Sequence, residues 1–166
     1  MSAPFAIETL GPNHDRKGFS CGVDALDRYF QQQVTQDVRR RVTVCYVAMD
    51  AAVGRVAGYY TLAAGGVLLN DMPESLAKRL PRYPSVPVAR LGRLAVDTAY
   101  RGQQLGAALL WDAALRASRA ELGVFALVVD AKDAPVEAFY RHHGFALFGS
   151  APRQLFLSLV NFPPPR

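Results

Sequence analysis

Leu91-Gly92-Arg93-Leu94-Ala95-Val96-Asp97, followed shortly by Tyr100-Arg101-Gly102-Gln103-Gln104-Leu105-Gly106-Ala107-Ala108-Leu109-Leu110, is the stretch that decides the fold of this chain. Arg90 to Val96 is apolar and β-branched, as a strand requires, and it stops at an Asp-Thr pair suited to a turn. From Gly106 the period becomes helical: Gly106, Leu109, Leu110, Ala113, Ala117 and Ala120 share one face. The turn between strand and helix carries glycines, so its main-chain amides can face a bound group with no side chain in the way. A helix N-terminus with free N–H groups favours an anion, typically a phosphate. Shape alone leaves two options, a βα loop that merely needs glycine and a phosphate cradle.

The second half of the chain repeats the alternation. Val124 to Ala131 is a buried-strand run, and Asp133-Ala134-Pro135 starts a helix with proline in its first turn. Val136, Phe139, Tyr140 and His143 share a face of that helix, Gly144 ends it, and Phe145 to Phe148 restarts a strand. Strand, glycine loop, helix, strand, then a helix ending Phe139-Tyr140-Arg141-His142-His143-Gly144-Phe145 resembles the GNAT superfamily of acetyl-CoA-dependent N-acetyltransferases. The resemblance implies that Arg101, Gly102, Gln103, Gln104, Leu105, Gly106 and Ala107 form the pyrophosphate loop, and that the segment around Tyr140 lies beside the thioester. Gln104 stands where the family usually has the first loop glycine.

The chain has 166 residues, 51% hydrophobic and 20% charged, which suits one domain with a real core. We divide it into a catalytic domain, 1–160, and a Pro-rich tail, 161–166. The formal net charge of +5 favours a polyanionic partner such as nucleic acid. Cys21 and Cys45 lack metal-ligand spacing, and no His, Cys or carboxylate set has it, so neither a metal site nor a disulfide framework is expected. With no signal-peptide pattern and no apolar run able to span a bilayer easily, the sequence is that of a soluble, cytoplasmic protein.

Along the chain, strands are expected at Phe5 to Leu10, Val42 to Met49, Val56 to Ala64 and Gln154 to Val160. Gly65-Gly66 suggests a bulge or bend before Val67 to Leu69. A helix is expected from Asp24 to Val38, ending at Arg39-Arg40-Arg41, and a short one over Asp71 to Leu80. Pro81 to Pro87 forms an extended loop into the central strand. These elements make an α/β (α+β) domain: a mixed, mostly antiparallel central sheet flanked by helices on both faces. The central helix also carries a second apolar strip, Ala108, Trp111, Leu115 and Leu122. We expect the Asp24 to Val38 helix to cover it; a partner chain, as in a homodimer, is the other option.

Further pieces resemble the GNAT toxins of bacterial toxin–antitoxin pairs: Phe19 to Phe30, Gly58-Tyr59-Tyr60-Thr61-Leu62-Ala63-Ala64, Pro84 through Asp97, Val129-Asp130-Ala131 and Phe139-Tyr140, over about residues 19 to 148. That resemblance implies acetylation of the α-amino group of aminoacyl-tRNA, which blocks translation, and neutralisation by an antitoxin with a ribbon-helix-helix end. The rival readings are an acetyltransferase acting on a protein N-terminus or small amine, and a non-catalytic acyl-CoA-binding module.

Within this frame Tyr140 is the candidate general acid, because a phenol of pKa about 10 stays protonated at neutral pH and can donate to a departing thiolate; the plain alternative is a core aromatic with its hydroxyl at a rim. The backbone of Leu94, Ala95 and Val96 is expected to pair with the amide-rich pantetheine arm as an added strand would. Asp133 either caps its helix or holds that arm. The central strand offers Arg90, Leu91, Arg93 and Leu94 and no carboxylate base. A lysine amine of pKa about 10.4 costs roughly 4 kcal/mol to deprotonate near pH 7.5, an α-amine near 7.7 only a few tenths. Such a site suits an α-amine. Arg93, with some of Arg39, Arg40, Arg41, Lys78, Arg79 and Arg82, is the candidate phosphate-gripping surface; for Arg93 the structural alternative is a salt bridge to Asp97 or Asp130.

Overall fold

In a computed structural model the described residues are 5–164. The strands are β1 (Phe5–Thr9), β2 (Val44–Asp50), β3 (Arg55–Leu68), β4 (Ser85–Val96), β5 (Ala126–Asp130), β6 (Ala146–Leu147) and β7 (Gln154–Ser158). They lie in the order β1-β2-β3-β4-β5-β7-β6. β1–β2, β2–β3, β5–β7 and β6–β7 are antiparallel and β4–β5 is parallel, so the sheet is mixed and mostly antiparallel, as expected. The expected tail begins at Asn161; its Pro165 and Arg166 lie outside the described residues.

The chain forms two compact units, through both of which β3, β4 and the central helix pass. The first holds residues up to Ala63 together with Gly92–Ala113. Its core joins Phe19, Phe30, Val34, Cys45, Val47, Val56, Tyr59 and Ala95. Phe30 stacks flat on Tyr59 at 4.2 Å between ring centroids, a contact worth more than its buried area alone. α1 (Asp24–Arg28), a π-helical turn (Tyr29–Gln33) and α2 (Val34–Arg39) run consecutively where one helix was expected. The wider turn sits where the neighbouring residues Tyr29 and Phe30 both bury their rings, which the regular 3.6-residue period does not favour. Arg39 is the last helical residue, Arg40 the cap, and Arg41 closes the end in the left-handed region at φ 63°. β3 needs glycine at Gly58: a Cβ there would stand 2.9 Å from the Ala95 carbonyl oxygen and 2.9 Å from Leu109 Cδ1.

The second unit holds Ala64–Leu91 and the chain from Ala114 on. Its core gathers Val67, Met72, Val86, Val88, Ala126, Val128, Phe148 and Phe156. α3 (Glu74–Ala77) is shorter than the expected Asp71 to Leu80. α5 (Ala134–His142) starts at an Asp133 cap and is followed by Gly144 at φ 94°.

Three expectations are corrected. The pairing of β3 with β2 is irregular at Ala48/Met49, and β3 passes through Gly65-Gly66 as one strand to Leu68, beyond the expected end at Ala64. Both positions are glycine because a Cβ would meet Arg90 at 3.0 Å and Ser85 Oγ at 2.7 Å respectively. β2 begins at Val44 rather than Val42, and both valines are exposed. The α1–α2 segment does not cover the second strip of the central helix; it spends its apolar face on Cys45, Val47, Val56 and Tyr59, leaving Ala108, Trp111 and Leu122 exposed.

Candidate active site

In the first unit the candidate residues lie on the passage from β4 to α4 (Leu105–Ser118). Asp97 ends the strand as a fully buried carboxylate, accepting from the amides of Ser20 at 3.1 Å and Ala99 at 2.9 Å and from Arg55 Nη2 at 3.3 Å. Those partners engage both of its oxygens, so Asp97 builds the turn. The chain then passes a short 3₁₀ turn (Thr98–Tyr100) and reaches α4 through Gly102 at φ 78° and Gln104 at φ 60°. Gln104 thus holds the left-handed geometry that glycine would adopt without strain, and its side chain is exposed rather than folded over the loop.

These two left-handed steps leave a run of main-chain donors. Ala108 N–H donates to the Gln104 carbonyl at 3.1 Å, whereas the amides of Gly102 through Ala107 donate to nothing among the described residues. No acidic side chain sits in the first turn of α4. Free amides at a helix start form a cradle for an anion such as a pyrophosphate. Arg101 contributes differently from expectation: its Nη2 donates to the Cys21 carbonyl at 2.7 Å, tying the Cys21–Gly22 turn to the loop. Gly22, at φ 89°, has no room for a Cβ beside that guanidinium, which would be 2.8 Å away. Upstream, Leu94 and Val96 are half-buried and Ala95 buried. β4 pairs with β5 only over Val88, Ala89 and Arg90, so the main chain of Leu94–Val96 keeps an edge that β5 does not use. A strand edge of this kind accepts an extended, amide-bearing arm.

In the second unit the candidate residues lie on α5. The Asp133 carboxylate accepts from Val136 N–H at 3.0 Å, so of its two expected roles it performs the cap. Tyr140 is buried, with its ring 5.3 Å from Phe139 and 5.4 Å from Phe145. Burial pushes its phenol up to about 12. Its hydroxyl makes no hydrogen bond among the described residues, and no fully buried side-chain oxygen lacks a partner, so that hydroxyl reaches accessible surface. A protonated donor with nothing to donate to is what a general acid needs. His143, next on the same face, is held below the usual imidazole range by burial and by His142.

Arg93 makes neither expected salt bridge. Asp97 is taken by Arg55, and Asp130 lies 3.9 Å from Arg90. The Arg93 guanidinium instead lies 3.4 Å above the Tyr29 ring, a cation–π contact that fixes its plane. The Tyr29 hydroxyl donates to Asp37 Oδ2 at 2.7 Å, which with Gln33 holds the Asp37 carboxyl below the usual range. Arg93 also borders an open groove of about 440 Å³ with Arg28, Gln32 and Gln33. The sequence reading gave Tyr29 and Asp37 no role at the site, although Tyr29, Gln33 and Asp37 recur at helical spacing. Of the other candidate cations, Arg39, Arg40 and Arg41 are exposed together at the end of α2 in the first unit. Lys78, Arg79 and Arg82 are exposed around α3 in the second, Lys78 lying 3.9 Å from Glu74. Among the described residues no group of His, Cys, Asp or Glu could hold a metal ion, and no helix is long and apolar enough to cross a membrane.

Residues 41–147 match the acetyltransferase (GNAT) domain family. The chain is 34% identical to the tRNA-acetylating toxin of Mycobacterium tuberculosis, over 95% of this chain and 93% of that relative. Its fold matches a tyrosine-to-phenylalanine variant of KacT with a TM-score of 0.87 at 26% identity, covering 93% of this chain and 95% of the other. It matches AtaT complexed with acetyl-methionyl-tRNAfMet with a TM-score of 0.81 at 28% identity, covering 93% and 94%; other AtaT structures hold AcCoA or the C-terminus of the antitoxin AtaR.

Proposed function

This chain belongs to the GNAT acetyltransferase family, and on that premise we propose that it is an acetyl-CoA-dependent N-acetyltransferase toxin whose acceptor is the α-amino group of aminoacyl-tRNA. The observation that carries the chemistry is Tyr140, a buried phenol kept protonated and left without a hydrogen-bond partner among the described residues. The amides of Gly102 through Ala107 take the donor's pyrophosphate, and the edge at Leu94–Val96 takes its pantetheine arm. The donor supplies an acetyl thioester. The acceptor nitrogen bonds to the acetyl carbon, the carbon–sulfur bond breaks, the departing sulfur takes the Tyr140 proton, and the amine's proton passes to solvent, from which Tyr140 is recharged. β4 carries no carboxylate to serve as base, and Asp97 just beyond it is buried and held by Ser20, Ala99 and Arg55, which suits an α-amine already largely neutral at physiological pH. We place residues 1–160 in one catalytic domain acting in the cytoplasm.

Arg93, flat on Tyr29, grips the acceptor's phosphates, and the exposed Arg39–Arg41 end adds affinity; Lys78, Arg79 and Arg82 are candidates for the same work. AtaT is seen bound to the C-terminus of the antitoxin AtaR, and we propose that an antitoxin likewise binds this chain and holds it inactive; we assign it a ribbon-helix-helix DNA-binding end, and the exposed strip around Trp111 to a homodimer contact. Binding of charged tRNA is expected to weaken with salt at a log–log slope near −0.7 per phosphate contact on single strands. Arg93→Glu is expected to abolish tRNA acetylation while sparing acetyl-CoA binding. Retained transfer in that variant, or salt-independent binding, refutes the assignment.

A further inference from the structure

We propose that the Thr61 hydroxyl is a hydrogen-bonding contact for the acceptor amine, reached through the space that Gly92 leaves open on β4. Thr61 is 1% exposed, on β3 opposite Cys45. Its Oγ1 makes no hydrogen bond among the described residues, yet no fully buried side-chain oxygen is left without a partner. The little surface Thr61 has is therefore at its hydroxyl. A Cβ placed on Gly92 would meet one atom within 4 Å, Thr61 Oγ1, at 3.0 Å. Gly92 is itself exposed, so apart from that oxygen its side of the strand is open. An open space floored by a single unpartnered hydroxyl is a polar site built for something outside the chain, since a threonine that filled the sheet for stability alone would bond its hydroxyl or be a valine.

Its place gives the ligand class. In sequence Gly92 lies between the β4–β5 pairing that ends at Arg90 and the free edge at Leu94–Val96, and Arg93 is its neighbour. This assignment rests on the proposed acceptor: with the donor's arm along the edge at Leu94–Val96, Gly92 is the next open position on the same strand, and the amine enters there. A threonine hydroxyl is far too weak a base to keep the proton. It accepts an N–H of the amine, aims the nitrogen lone pair at the acetyl carbon, and lets the surplus proton leave to solvent.

The test is steady-state kinetics of the full chain with acetyl-CoA and charged tRNA, for Thr61→Val, Thr61→Ser and Gly92→Ala. Thr61→Val keeps the shape and removes the hydroxyl. It is expected to lower kcat/KM for the acceptor roughly 10- to 100-fold, as loss of a hydrogen bond to a charged or charging group does. The KM for acetyl-CoA stays unchanged and the melting temperature unchanged or higher. Thr61→Ser restores the rate to within a few-fold, and Gly92→Ala raises the KM for charged tRNA by crowding Thr61. A Thr61→Val enzyme within twofold of wild type, a Thr61→Ser enzyme as slow as Thr61→Val, or a lowered melting temperature in Thr61→Val overturns the proposal. Should wild type leave charged tRNA unlabelled but acetylate a protein N-terminus or small amine, the acceptor assignment falls, and the same three variants on that amine judge Thr61 separately. A wild-type protein that acetylates no amine overturns both.

Discussion

Replacing Tyr140 by phenylalanine removes one oxygen and leaves the ring between Phe139 and Phe145. No hydrogen bond among the described residues is lost, because the hydroxyl makes none there, so the stability change is expected within about 0.5 kcal/mol. The catalytic change is of another size. Loss of a general acid costs about 10²–10⁴-fold, or roughly 3–5 kcal/mol of barrier. The pH dependence follows from the same environment: burial raises the phenol from 10.0 to about 12, so wild-type transfer has no alkaline limb from Tyr140 until the pH approaches that value. The assay pairs turnover of labelled acetyl-CoA with calorimetric acetyl-CoA binding and a thermal melt, for both proteins. Turnover of the Tyr140→Phe protein within a few-fold of wild type makes Tyr140 a packing aromatic and refutes the mechanism.

Gly106→Asp puts a carboxylate at the cradle of free amides; it is expected to weaken acetyl-CoA binding by about tenfold or more, while an acid in the first turn favours the helix itself, so the melt should not fall. Calorimetry on the purified variant checks this. Gly58→Ala drives a Cβ against the Ala95 carbonyl at 2.9 Å and is expected to cost about 1–3 kcal/mol by overpacking, read by denaturant unfolding. Burial pushes the Cys45 thiol from 9.0 up to about 12; the unfolded chain ionises first, so its contribution is intact below pH 9.0 and falls by on the order of 4 kcal/mol as pH rises to about 12. Cys45→Ala should flatten the alkaline end of the stability curve, and an unchanged curve counts against that cause.

What could be read from the sequence was local. The β4–turn–α4 passage shows in a change of period from 2 to 3.6, and the Asp133 cap and Gly144 stop mark α5 by their own chemistry. Gln104 could be flagged from the family pattern, and its φ of 60° shows that the loop kept its shape with a costlier residue. What escaped depends on partners distant in the chain. Gly65-Gly66 reads as a break, but the pair leaves room for Arg90 and Ser85, which sequence spacing does not place there. Arg93 has acidic residues four positions away and farther, which suggested a salt bridge; Asp97 was already bound by Ser20, Ala99 and Arg55, and the arginine went to an aromatic face. Thr61 looks like any β-branched strand residue, and only the missing side chain of Gly92 gives its hydroxyl an outlet. The fate of the Trp111 strip depended on where the α1–α2 segment spends its apolar face, and that face had better partners in Tyr59 and Cys45.

The central claim is the acceptor, and the most direct measurement is where the label goes. Purified protein is incubated at low salt with labelled acetyl-CoA and with charged tRNA, uncharged tRNA or ribosomal proteins. The account predicts label on charged tRNA alone, released with the amino acid on mild alkaline hydrolysis of the ester and located on the α-nitrogen. Label on protein lysines or protein N-termini, with none on charged tRNA, contradicts it.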